Sequence, residues 1–282
     1  ANILLDHDFD AERSFRERGI NRSVRFIACS GIVKNQILMK QIQDIMQLLQ
    51  KEYEYPVDIE FTVNLSETGE YSINLLQCRP LKVFKDIGKA QIPEDIAEEK
   101  IILENVHSSM GLSRNVKIDH IVLVDPIAYY NMPYAQKPNV AKLIGTINWK
   151  YKGKNKHMLL MVPGRIGTSS PELGVPTTFA DISEFEAICE IEEKKAGYNP
   201  ELSYGSHIFQ DLVEAEILYT AVFANEKTLR FAPEKLAEYP DIVSLFTEDP
   251  ELKQVVHVYD MSKVSCELCN DLQNERLVLY QQ

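Results

Sequence analysis

The stretch from Pro56 to Leu81 constrains the fold more strongly than any other part of the chain. Two runs within it alternate apolar and polar residues, which is the pattern of half-buried β-strands. Asp58 and Glu60 belong to the polar set of the first run. The segment Ser-Glu-Thr-Gly between the runs is typical of a four-residue turn, so the stretch is predicted to fold as a β-hairpin.

The length of this turn sets the predicted pairing of the two strands. A four-residue turn gives the following pairs: Leu65 with Glu70, Glu60 with Leu75, and Asp58 with Gln77. Paired residues share a face of a hairpin. We therefore expect both carboxylates to lie on the same surface as Gln77 and Arg79.

Two carboxylates, an amide and a guanidinium on one surface suit the phosphate end of a nucleotide. Magnesium prefers oxygen ligands and usually takes one or two carboxylates together with phosphate oxygens. A guanidinium makes the bidentate phosphate contact that an ammonium cannot make. The alternative from the pattern alone is an ordinary hairpin whose polar face is merely solvated, and both interpretations remain open at this point.

The segment DIEFTVN followed by LLQCRP resembles the end of the nucleotide-binding domain in the phosphoenolpyruvate synthase and pyruvate phosphate dikinase family. The family motif is an Asp-x-Glu strand, a short hairpin and Leu-Gln-x-Arg-Pro, and the resemblance covers about the first third of the chain. It implies an ATP-grasp fold with ATP and Mg²⁺ as cofactors. It also implies that Glu60 and Asp58 bind the metal, and that Gln77 and Arg79 contact the phosphates, with Arg79 in a catalytic role.

The resemblance implies that the chain belongs to an ATP-dependent phosphotransferase. In that family ATP phosphorylates a histidine, which later phosphorylates pyruvate. The expected partners are the remaining domains of the parent chain and pyruvate or another phosphate acceptor. Two alternatives stay open: a non-catalytic module that senses nucleotide, and a scaffold that docks other domains. The piece by itself is expected to be inactive.

Composition narrows the classes of protein further. A length of 282 residues allows one large domain or two ordinary ones. The net charge of −12 argues against nucleic acid or an anionic membrane as a partner. No apolar run approaches a membrane span, and five cysteines, an odd number, favour a reducing cytoplasm over a disulfide framework. The first residue is Ala, so we expect an excised piece of a longer protein.

We predict an α+β fold with two domains. Residues 1–85 would form the C-terminal portion of an ATP-grasp-like nucleotide-binding domain, and residues 86–282 a second mixed α/β domain whose role is not predicted. The main predicted helices cover residues 10–18, 33–53 and 139–149, with a short one opening at Asp125-Pro126. The predicted strands outside the hairpin cover residues 24–28, 100–106, 118–124 and 158–162.

Three further features carry weaker functional hypotheses. The loop from Pro163 to Pro176 is rich in Gly, Pro and hydroxyl residues, and could present N–H groups and Arg165 to an anion, or simply cross a sheet edge. His207 at a predicted helix start is either a phosphate acceptor or, as is more common, a structural residue. Cys266 and Cys269 have metal-like spacing but no second pair, which favours two ordinary cysteines.

Overall fold

The computed structural model describes residues 5–28, 30–65, 70–81, 88–192, 202–203 and 207–282. The chain divides into two compact units, Ala1–Val83 and Phe84–Gln282. Helices and strands occur in both units, so the fold belongs to the α+β class. The hairpin turn at 66–69 and Ser206, a candidate helix cap before His207, lie outside the described residues.

The described residues of the first unit form three helices and two pairs of strands. In chain order its elements are β1 (Leu5–His7), α1 (Phe9–Glu17), β2 (Arg25–Ile27), α2 (Ser30–Lys34), α3 (Gln36–Tyr53), β3 (Val57–Leu65) and β4 (Tyr71–Pro80). β1 pairs with β2, and β3 pairs with β4, both antiparallel. α1 starts where the Asp8 carboxylate accepts a hydrogen bond from the N–H of Ala11, and Gly19 with φ of 75° follows its end.

The long helix of this unit starts later than its apolar pattern suggests. One helix was predicted over residues 33–53, but α2 and α3 are separate and Asn35 lies between them. The Asn35 side chain accepts a hydrogen bond from the N–H of Leu38 at 3.1 Å, as an N-cap does. The competing preference of Asn for a cap therefore interrupts the apolar period.

The hydrophobic core of the first unit is small. α3 packs against β3. Among the described residues of this unit, the buried hydrophobic side chains are Leu38, Ile42 and Val57. Large apolar side chains elsewhere in the unit are exposed, among them Phe9, Ile27 and Ile37.

The second unit alternates strands and helices and then ends in strands. Its first elements are β5 (Ile101–Val106), β6 (Ser109–Met110), β7 (Arg114–Lys117), β8 (His120–Val124), α4 (Pro126–Asn131), α5 (Lys137–Tyr151), β9 (Met158–Pro163) and β10 (Ala187–Ile191). The later elements are α6 (His207–Glu214), β11 (Leu218–Val222), β12 (Thr228–Phe231), α7 (Leu252–Val255), β13 (Val256–Asp260), β14 (Cys266–Asp271) and β15 (Arg276–Gln281). Short 3₁₀ turns at Glu98–Lys100, Tyr134–Gln136, Phe179–Asp181, Pro233–Glu238 and Val243–Leu245 connect them.

A six-stranded mixed sheet forms the centre of this unit. Its strand order is β13-β8-β9-β10-β11-β6, and the four strands from β8 to β11 run parallel. Every residue of β8, β9, β10 and β11 is buried, as expected for parallel strands covered on both faces. Asp125 caps α4 by accepting from the N–H of Ala128 at 2.7 Å, with Pro126 in the first turn.

The central sheet is covered by helices on one face and by a second sheet on the other. Leu160 and Ile188 contact residues of α5 and α6 in one core, whereas Leu159 and Met161 belong to a core shared with the other sheet. That other sheet is antiparallel, with the order β12-β5-β15-β14-β7. The second unit is therefore a three-layer structure of helices, mixed sheet and antiparallel sheet. Within the described residues no helix is long and apolar enough to span a membrane.

Candidate functional site

The β3–β4 hairpin places the predicted site residues on directly opposed positions. Asp58 pairs with Arg79, and Glu60 pairs with Gln77. Each pair therefore shares a face of the hairpin. The observed register differs from the predicted one, in which Glu60 would face Leu75.

The turn is the reason for this difference. Leu65 pairs with Tyr71 rather than with Glu70, so five residues, not four, separate the paired ends. From Leu65 to Phe61 each pair is therefore shifted by one position relative to the prediction, and Phe61 pairs with Leu75. The expectation that Leu75 shares a face with Glu60 is wrong.

A β-bulge at Leu76 then shifts the register by one further residue. Phe61 pairs with Leu75, the next residue Glu60 pairs with Gln77, and Leu76 has no Cα partner between them. Bulges insert an extra residue into one strand and re-aim the side chains that follow. This bulge brings Gln77 and Arg79 to the face of Asp58 and Glu60.

The polar face continues toward the turn. Thr62 pairs with Asn74, and the Asn74 Nδ2 atom donates to the Thr62 Oγ1 atom at 3.4 Å. The opposite face carries apolar pairs such as Val63 with Ile73. The hairpin thus has one polar and one apolar face along its whole length, and the predicted site residues lie on the polar one.

The charges of the site are close to one another and only partly solvated. The Arg79 Nε atom lies 3.6 Å from the Asp58 Oδ2 atom, and the two side chains are 23% and 35% exposed. Glu60 is half-buried and Gln77 is exposed. At this exposure, the pair itself contributes little to stability, about 0–1 kcal/mol. Its main consequence is that the Arg79 guanidinium lies beside the Asp58 carboxylate.

The donor set fits Mg²⁺ bound together with a phosphate rather than by protein alone. Among the described residues no group of three or more His, Cys, Asp or Glu side chains could hold a metal ion. Magnesium commonly takes only one or two carboxylates, with phosphate oxygens completing the shell. Glu60 and Asp58 supply that number, while Gln77 and Arg79 supply N–H donors suited to phosphate oxygens.

The comparison with protein families identifies the same part of the chain. Residues 9–100 match the family model described as pyruvate phosphate dikinase, AMP/ATP-binding domain. The first third of the chain is similar to that domain. The matched range includes the whole hairpin and extends into the first residues of the second unit. The match supports a relationship to the pyruvate phosphate dikinase and phosphoenolpyruvate synthase family over this range. No match was found among curated proteins or solved structures.

Arg165 belongs to the second unit, in the loop that follows β9. The backbone N–H groups of this loop already donate to the protein. Those of Arg165 and Gly167 donate to the carbonyls of Leu173 and Val175, and that of Ile166 donates to the Glu190 carboxylate at 2.8 Å. The loop therefore does not present these three N–H groups to an anion. The contribution of the Arg165 side chain stays a prediction.

Glu190 organises this loop, and the sequence analysis did not identify it. It is fully buried on β10 and accepts hydrogen bonds from the N–H of Ile166, the N–H and hydroxyl of Ser203, and the Tyr219 hydroxyl. Burial raises the pKa of the Glu190 carboxyl, while these hydrogen bonds act in the opposite direction. A Glu within the apolar segment AICEI was the available signal, since charged residues are rarely buried without partners.

The other candidate residues have ordinary surroundings in the described structure. His207 is the exposed first residue of α6, and its role as a phosphate acceptor stays a prediction. Cys266 and Cys269 are buried in β14, where burial raises the pKa of each thiol to about 12. Such thiols stay protonated at neutral pH, so the structure supports the interpretation of ordinary cysteines.

Proposed function

We propose that the first unit supplies metal and phosphate ligands for ATP in a phosphotransferase of the phosphoenolpyruvate synthase type. The observation that carries this proposal is the opposed pairing of Glu60 with Gln77 and of Asp58 with Arg79 on one face. These residues lie inside the range that matches an AMP/ATP-binding domain. The combination of residue types, register and family match favours a nucleotide site over a merely solvated face.

The two acids would have unequal roles. Asp58 lies close to the Arg79 guanidinium, so part of its charge is already compensated. In this proposal Glu60, which lies opposite Gln77, is the principal metal ligand and Asp58 is the secondary one. When bound, Mg²⁺ would neutralise phosphate charge. Gln77 and Arg79 would orient the phosphates, so the contribution of these residues is positioning and charge stabilisation rather than covalent chemistry.

The first unit would work together with further polypeptide. Its described residues bury few hydrophobic side chains, whereas many large ones are exposed. A small domain with so few buried apolar side chains has little hydrophobic stabilisation of its own. We therefore propose that other domains of a parent chain complete the nucleotide site and bind pyruvate or another phosphate acceptor. The present chain should then bind Mg-ATP with a dissociation constant above about 1 μM, which corresponds to a binding free energy weaker than about −8 kcal/mol.

The decisive substitution is Glu60→Gln in the parent protein. It keeps the size of the side chain and removes the charge that a metal ligand needs. Phosphoryl transfer at saturating ATP and Mg²⁺ should fall by at least about 100-fold, while the melting temperature changes little, because the substitution creates neither a cavity nor a buried unpaired charge. Glu52→Gln is the matched control, since Glu52 is an exposed residue of α3 and does not belong to the hairpin.

The companion substitution Arg79→Lys tests the phosphate contact. A lysine retains the positive charge but loses the bidentate geometry, so turnover should fall while folding is retained.

Normal turnover in Glu60→Gln would refute the phosphotransferase assignment of this hairpin. Retained Mg-ATP binding in a protein without any phosphoryl transfer would instead support the nucleotide-sensing alternative.

A further inference from the structure

The β-bulge at Leu76 decides which polar side chains of the hairpin face one another. From Tyr71 to Leu75 the ladder is regular. Continued without a bulge, the same ladder would pair Glu60 with Leu76 and would place Gln77 opposite Ile59. Gln77 and Arg79 would then lie on the apolar face, which carries the buried Val57.

The sequence contains the reason for the bulge. Polar residues occupy alternate positions at Ser72 and Asn74, and then the doublet Leu75-Leu76 breaks the period before Gln77 and Arg79 resume it. When Leu76 has no partner in β3, the polar residues Ser72, Asn74, Gln77 and Arg79 all lie on one face of the hairpin. The cost of turning a guanidinium toward an apolar face exceeds the cost of leaving Leu76 exposed, and Leu76 is indeed 63% exposed.

We propose that the β-bulge at Leu76, rather than the leucine side chain, aligns the residues of the metal–phosphate site. The unpaired place of Leu76 in β4 sets Gln77 opposite Glu60 and Arg79 opposite Asp58. This inference rests on the proposed function of the hairpin. Leu76 itself contacts no reacting group in this role, because it acts through the alignment of the two residues that follow it.

A disulfide tests the register independently of nucleotide binding. In the bulged register Ile59 pairs with Cys78, and paired strand residues are close enough for a disulfide. Ile59→Cys should therefore form a disulfide with Cys78 under mild oxidation, in a background with Cys29→Ser. Asp58→Cys is the matched control, because position 58 would oppose Cys78 only in the regular register. A disulfide in Asp58→Cys but not in Ile59→Cys would overturn the inference.

Two changes of strand length test the positioning role. Deletion of Leu76 gives a regular ladder that keeps the pairs Glu60–Gln77 and Asp58–Arg79. Insertion of Ala between Leu76 and Gln77 also permits a regular ladder, but it moves Gln77 opposite Asp58 and carries Arg79 beyond the acids. We expect the deletion to preserve binding of Mn²⁺–ATP within about three-fold, and the insertion to weaken it at least ten-fold.

Binding of Mn²⁺–ATP is measured by the relaxation of water protons, which detects millimolar affinity, and folding is followed by circular dichroism. Equal binding by the insertion and the unmodified protein would overturn the positioning role alone. Equal loss in the deletion and the insertion would also overturn it, because alignment would then not be the determining factor. Absence of Mn²⁺–ATP binding in the parent protein with an unmodified hairpin, together with formation of the Ile59→Cys disulfide, would refute the proposed function while leaving the bulged register established.

Discussion

Replacement of Glu190 by Gln removes one hydrogen-bond acceptor from the interior of the second unit. The Oε1 atom accepts from the N–H of Ile166 at 2.8 Å, and the Oε2 atom accepts from the N–H of Ser203 at 2.7 Å. Both donors are backbone groups that cannot rotate. A glutamine has a single acceptor oxygen, so its NH₂ group must face one of these two N–H groups.

The magnitude follows from counting the donors that lose a partner. The Ser203 hydroxyl can turn to the Ile166 carbonyl, which lies 3.1 Å away, and the Tyr219 hydroxyl can accept from the new NH₂ group. One buried N–H therefore stays without an acceptor, which costs about 1–3 kcal/mol. For a unit of this size that is roughly 2–12 °C in melting temperature. Glu190→Ala should cost more, because it leaves a cavity and removes both acceptors.

The measurement combines thermal unfolding with amide hydrogen exchange across residues 163–176. Exchange in this loop should accelerate in Glu190→Gln, because the Ile166 and Ser203 N–H groups compete for one acceptor. Glu226→Gln is the control, since Glu226 is exposed. A glutamine variant within about 0.5 kcal/mol of the unmodified protein would refute the reasoning. It would mean that the loss of one acceptor oxygen leaves no buried N–H group without a partner.

Two further outcomes follow from the second unit. Burial lowers the pKa of His120, so its contribution to stability is present above the reference pKa of about 6.5 and is lost as pH falls through the lower folded pKa. Urea unfolding at pH 7.5 and 5.0 should therefore show that His120→Gln loses less stability on acidification than the unmodified protein. An equal loss of stability in both proteins would assign the acid sensitivity to other groups. At Gly174, with φ of 153°, an added Cβ would lie 2.1 Å from the Arg165 carbonyl oxygen, whereas at Gly153, with φ of 69°, it would have nothing within 4 Å. Thermal melting should therefore show that Gly174→Ala is less stable than Gly153→Ala by at least about 1 kcal/mol. Equal losses of stability in the two variants would contradict the steric argument.

Much of the local structure could be predicted because its determinants are close in sequence. The acidic N-cap Asp125 followed by Pro126 predicts α4, and the structure confirms this helix. The apolar run at 158–162 predicts the buried strand β9, which ends one residue later. The convergence of Asp58, Glu60, Gln77 and Arg79 on one face is also confirmed, although the predicted pairs are not.

The errors arose where two local preferences competed. Alternation in β4 was continued through the Leu75-Leu76 doublet, although a break of the period is the sequence signal of a bulge. Likewise, the apolar period around residue 33 concealed the capping preference of Asn35. The partners of Glu190 could not be predicted from spacing, because Ile166 and Tyr219 are 24 and 29 residues away and meet it only through the strand order.

The direction of winding in the central sheet has a consequence for ligand binding. Strands β8, β9, β10 and β11 are neighbours in the same order as they occur in the chain, and the helices between them cover one face. Open α/β sheets usually bind ligands in the crevice where two successive crossovers leave a sheet in opposite directions. The four parallel strands contain no such reversal. These strands therefore offer no crevice of that kind at their carboxyl ends. The backbone N–H groups of residues 165–167, in the loop after β9, also donate to the protein itself.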